Sequence, residues 1–201
     1  MATKTEICNL AIIHLGSAKE ISNLDTDQSS EGSVFRRVYD DVLRAVLRDA
    51  EWPFASKVLS LGLIASNPTT EWGYSYRYPS DCVQFRRILS GKRKDTKDSA
   101  IEYKILRDSA GRIIYTDQET AVGEYTMLND DPEQYPSDFV LAFSFRLAAY
   151  VAPVLTGGDP FGMGKRAMEF YMQEISRAQA NSFNEEEYGI ETLSELERIR
   201  S

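Results

Sequence analysis

Hydrophobic and polar positions along this chain follow two different periods. Near the start, Ile7, Leu10, Ala11 and His14 recur at i, i+3, i+4 and i+7, the spacing of one helical face. Thr3 and Glu6 stand three apart, the reciprocal spacing in which each side chain satisfies an orphan backbone donor, so a helix is expected from Thr3. Gly16 offers a left-handed stop. A second helix is expected over residues 31–50. Its stripe is Val34, Val38, Val42, Ala45 and Val46, broadened by Phe35, Tyr39, Leu43 and Leu47. Trp52-Pro53 ends it, and Trp52 and Phe54 are expected to dock that end on the core.

From residue 57 the period shifts to two. Leu59, Leu61 and Leu63 alternate with Ser60 and Gly62, and residues 67–70 form a turn. Trp72, Tyr74, Tyr76 and Tyr78 then place four aromatics on one face of an extended strand that Pro79 terminates. Further strands are expected over residues 82–89, 101–106, 112–116 and 119–128. A charged loop spans 90–99, and Asp108-Ser109-Ala110-Gly111 gives a hairpin signal. Five or six short strands in meander order make a small antiparallel sheet or barrel.

Helical spacing returns after an acidic, turn-like stretch at 129–135. Ser137 is the expected N-cap of a helix with Phe139, Ala142, Phe143, Arg146, Leu147 and Tyr150 along one face. Ala148, Ala149 and Ala152 make another face, small enough for close helix packing, and Pro153 kinks or ends the helix. Thr156-Gly157-Gly158 is a break. Asp159-Pro160 reads as a cap followed by proline at the first helical position, opening a helix that carries Met163, Ala167, Phe170, Tyr171, Glu174, Ile175 and Ala178. The predicted architecture is α+β: a mainly α-helical bundle (residues 1–56 and 129–183) with an inserted antiparallel β part (57–128). Residues 184–201 form an acidic extension in which Leu193, Leu196 and Ile199 are the apolar anchors.

Composition adds exclusions. The 201 residues carry a formal charge of −8, which disfavours nonspecific wrapping of nucleic acid by the whole surface. No run is expected to span a bilayer, and no leader precedes the first helix, so cytoplasmic synthesis is expected. Cys8 and Cys82 are too few for a disulfide framework or a zinc site and are expected to act as small apolar side chains. No cofactor or metal is expected.

Candidate chemistry is sparse. His14, the single histidine, lies on the apolar side of its helix and reads as a satisfied core residue. The glycine-rich break at 157–164 precedes Lys165, but Arg166 stands where a phosphate loop needs Ser or Thr. The carboxylate pairs Asp40/Asp41 and Asp130/Asp131 read as solvated surface. The row Trp72, Tyr74, Tyr76, Tyr78 suits either base or sugar stacking or a packed face, including a subunit contact. Lys92, Arg93, Lys94 and Lys97 form one basic cluster, a solvated loop or a contact for a partner or phosphate.

Four segments carry a family resemblance in order: "TEICNLAIIHLG" (5–16), "EWPFA" (51–55), "YSYRYPSDCVQFRRI" (74–88) and "LAAYVAPVLTG" (147–157). Together they resemble the tail tubular protein A family, head-to-tail adaptors of short-tailed bacteriophages. The resemblance implies a structural virion protein with no enzymatic activity. It implies a ring of about twelve copies closing by rotation beneath the portal. Such a ring joins the portal to the tail tube or nozzle and lets DNA pass without reading its sequence. It also implies portal docking through the C-terminal extension, and a virion tail or neck location after assembly in the host cytoplasm. Two other classes stay open: a virion-associated cell-wall hydrolase, which needs two fixed carboxyls across a cleft, and another tail or neck interaction protein, including a nucleic-acid-binding module.

Overall fold

The computed structural model describes residues 2–67, 69–92 and 96–185. The fold is α+β, with four α-helices and two three-stranded antiparallel sheets. The helices are α1 (Lys4–His14), α2 (Ser30–Asp49), α3 (Ser137–Leu155) and α4 (Met163–Glu185). The strands are β1 (Ser56–Ser60), β2 (Tyr74–Arg77), β3 (Cys82–Ile88), β4 (Tyr103–Asp108), β5 (Gly111–Thr116) and β6 (Val122–Met127).

Local chemistry sets the helix ends. Thr3 and Glu6 make the reciprocal cap of α1, and the Ser29 hydroxyl accepts from the Gly32 amide at the start of α2. The buried face of α2 is Phe35, Tyr39, Val42, Leu43, Val46 and Leu47; Val34 and Val38 only flank it. Two helix starts differ from expectation. Ser137 is already helical, and Pro136 before it supplies no side-chain cap. Helix α4 begins at Met163 rather than beside Pro160. Asp159, at φ 58, reaches forward so that its two carboxylate oxygens accept from the Met163 and Gly164 amides at 2.7 and 2.9 Å.

Helix α3 continues through Pro153 to Leu155. It packs on α1, α2 and α4. It is also long and apolar enough, by length and composition, to cross a membrane, which corrects the expectation that no such run exists. Its buried residues face the other three helices, as in the central helix of a packed core. The seam with α4 is close: a Cβ on Gly164 would lie 2.8 Å from that of Ala152, so glycine is required where the helices cross. At the other end Trp52, Phe54, Tyr135 and Phe143 surround Phe139, with ring centroids 4.8–5.8 Å from it.

The strands do not form a meander. One sheet runs β1-β6-β3 and the other β2-β5-β4, so only β4 and β5 are neighbours in both sequence and space. A bridge between Leu63 and Tyr76, with Arg77 N donating to Gly62 O at 2.9 Å, links the chain after β1 to β2. The sheets share one core of Leu61, Tyr76, Phe85, Ile88, Ile114 and Tyr125. Gly123 admits Phe85 to it, since a Cβ there would lie 2.7 Å from the ring. Arg86 fastens β3 to the helices: its guanidinium donates to Ala50 O at 2.8 Å and to the Thr126 hydroxyl at 3.0 Å. There it meets the electronegative end of α2.

Candidate functional site

The expected aromatic row is divided. Tyr74, Tyr76 and Tyr78 belong to or pack on the β core, while Trp72 precedes the strand in a bend. Tyr76 is fully buried and its hydroxyl donates to Gln118 O at 2.7 Å. Its ring is thus spent inside its own fold. Arg112 lies over the half-buried Tyr78, 5.2 Å from the ring centroid. Of the basic cluster, Lys92 and Lys97 are exposed, and Arg93 and Lys94 lie outside the described residues. Leu193, Leu196 and Ile199 also lie outside them.

His14 is half-buried, stacked on Phe145 and 3.0 Å from the Ser144 hydroxyl. Ser144 donates to Leu141 O at 2.7 Å, so its oxygen is left to accept from His14 Nε2. That polarity is opposite to a base activating a nucleophile. Desolvation holds the His14 pKa below its ordinary value. Burial likewise pushes the Cys8 thiol up to about 12 and Cys82 to about 11, so both stay protonated at neutral pH.

The carboxyls with displaced pKa values are all held down. Asp27 falls to about 2 through hydrogen bonds from Ser29 and Ser22, and Glu31 to about 2 through Lys19 and Ser30. Asp81 is lowered by Lys57, 2.7 Å away, and by the Tyr125 hydroxyl. In Asp108 desolvation pulls the other way and is outweighed by the Ala110 amide and Arg77. These are the environments of caps and ion pairs; a general acid for glycoside cleavage needs the reverse shift. Among the described residues no cluster of three or more His, Cys, Asp or Glu is arranged to hold a metal.

A groove of about 670 Å³ lies beside the α1 cap, lined by Thr3, Asn9, Asp25, Asp131 and Glu133 among others, and two further surface features are a second groove and a sheet edge. The first is a groove of about 650 Å³ where the ends of α2 and the start of α3 meet α4. Trp52, Pro53, Phe54 and Leu141 form its apolar lining, and Glu51, Asp138, Glu174 and Arg177 its charged part. The second is β4, exposed along Lys104, Ile105, Leu106 and Arg107. Sequence reading marked the hairpin but neither the groove nor the exposure of β4. The groove joins residues 51–54 to residues 174–178, more than a hundred positions apart, and the period of two does not say that β4 lies at the edge of its sheet. No family model matches the chain, and no curated protein matches it either.

Proposed function

We propose that this protein is a head-to-tail adaptor of a short-tailed virion. In this reading a mainly α-helical bundle with a β insert forms the body of each copy in an oligomeric ring. The ring joins the portal to the tail tube or nozzle, and DNA passes through it.

The observation that carries the reading is the ordered resemblance of four segments, together with where their side chains lie. Ile7, Ala11 and Ile12 come from the first segment, Trp52 and Ala55 from the second, Tyr76, Phe85 and Ile88 from the third, and Leu147 and Val151 from the fourth. All are buried. A likeness carried by core positions in the same order is a likeness of fold. The chemistry of the surface agrees with a structural role, since the displaced carboxyls act as caps and ion partners. A formal charge of −8 suits a protein that must not grip passing phosphates. A ring repeats one heterologous interface in every copy, so modest contacts suffice once a partner ring gathers the copies.

The test is co-sedimentation with the assembled portal encoded beside this chain. The full chain binds, and a chain lacking residues 184–201 does not. Failure of the full chain to co-sediment at about micromolar concentration contradicts the reading.

A further inference from the structure

The groove between α2, α3 and α4 holds carboxylates that are weakly compensated. Glu174 lines it with its side chain only 19% exposed. Among the described residues it makes no hydrogen bond, and Arg177, one turn along α4, stands 3.9 Å away. Glu51 reaches Arg86 only at 3.9 Å, and that guanidinium already donates to Ala50 O and the Thr126 hydroxyl. Asp138 adds a third acid. A carboxylate taken out of water without donors or a cation is costly, so this site favours a cation beside Glu174. The rest of the lining is apolar and includes Trp52, Pro53, Phe54 and Leu141. The fitting occupant is therefore an apolar segment that carries a positive charge. The groove beside the α1 cap is lined mostly by polar side chains and offers no such slot.

The chain itself carries one segment of this chemistry. Between Ala178 and Glu197 there are six acids and no lysine or arginine, and Arg198 and Arg200 then reverse the sign. At helical spacing Leu193, Leu196 and Ile199 share one stripe, and Arg200, four positions after Leu196, falls on the same side. The acids at 185–187 are repelled by those of the groove, so the arginine end fits where the preceding stretch does not. Reach permits a return to the same copy. Ala178 lines the groove, and α4 carries the chain about 10 Å past it to Glu185. Residues 186–193 span up to about 26 Å when extended.

We propose that residues 193–200 fold back into the groove between α2, α3 and α4 of their own copy. Leu193, Leu196 and Ile199 cover Trp52, Phe54 and Leu141, and Arg200 meets Glu174. The inference rests on the adaptor reading, which assigns the same three anchors to the portal, and adds how that site is regulated. Groove and portal compete for one set of anchors, so the free protein keeps them covered until a portal draws them out.

The test follows tryptic cleavage after Arg198 by mass spectrometry, under conditions in which cleavage reports the open population. Full-length wild type is compared with the free peptide 186–201 and with full-length E51Q/E174Q and L193D, each shown to be folded by circular dichroism. Wild type is cut at least about tenfold more slowly than the peptide, at one rate from about 1 to about 100 µM protein. Both variants are cut at rates approaching that of the peptide. Wild type cut as fast as the peptide, or E51Q/E174Q cut as slowly as wild type, would overturn the proposal. So would protection that grows with protein concentration, which assigns the groove to the segment of another copy. In co-sedimentation with the assembled portal, E51Q/E174Q reaches half-binding at a concentration about tenfold below wild type, because its anchors are already released. Equal or weaker binding by this variant also overturns the proposal. Portal binding by wild type without protection of Arg198 sinks only the docked segment, whereas protection without any portal binding sinks the adaptor reading.

Discussion

The helical and β parts of this protein are held together by different means. The helical core draws apolar side chains from residues as distant as Ile7 and Ala178, around an aromatic hub at Phe139. The β core is smaller, and polar ties complete it. The Tyr76 hydroxyl donates to Gln118 O, Tyr103 to Arg86 O and Tyr125 to Asp81, while Lys57 pairs with Asp81. Buried apolar area supplies most folding free energy, so the part with less of it opens at lower cost. The helical part is therefore the frame, and the β part the more easily opened unit, attached to it through Arg86 and the packing of Val83 and Leu128.

The largest expected effect comes from emptying the hub. Phe139→Ala leaves a cavity among Trp52, Phe54, Tyr135 and Phe143 and costs about 3–5 kcal/mol. Urea unfolding should show loss of the whole chain in one transition; survival of the β part with the helices lost would reverse the assignment of frame and attachment. Gly123→Val comes next, at about 3 kcal/mol, because the new side chain meets the Phe85 ring. Here hydrogen exchange should rise in β1, β3 and β6 while α1 and α3 keep their protection. Arg86→Ala removes charged hydrogen bonds worth about 2 kcal/mol. It should separate the two parts, seen as a broadened urea transition with a reduced m-value.

The smallest effect concerns pH. Burial lowers the folded pKa of His14 below the ordinary 6.5, so the unfolded chain takes up the proton first. The stability His14 allows is complete above about pH 6.5 and is lost as pH falls through its folded value. Thermal melts between pH 7.5 and 5 should therefore fall less steeply in His14→Gln than in wild type. Equal slopes would show that the ring does not titrate in this range.

The sequence made local features legible and long-range ones obscure. Thr3 and Glu6 marked the start of α1 because a cap depends on four consecutive residues. The Asp108–Gly111 turn marked the β4–β5 hairpin for the same reason. The alanine face of α3 foretold close packing, and α4 answers it with Gly164. Sheet order was hidden, because β6 lies between β1 and β3, pairing residues 56–60 with 122–126, and nothing local in either strand specifies the other. The start of α4 was missed because Asp159 caps from a left-handed backbone position, which spacing does not encode. The polarity of His14 depended on Ser144, 130 positions away.

The adaptor reading is tested most directly by the native mass of the particle formed when this protein is mixed with its portal. The account predicts a discrete complex with one copy of this chain per portal subunit. A mass unchanged from that of the free portal at about micromolar concentration would contradict it.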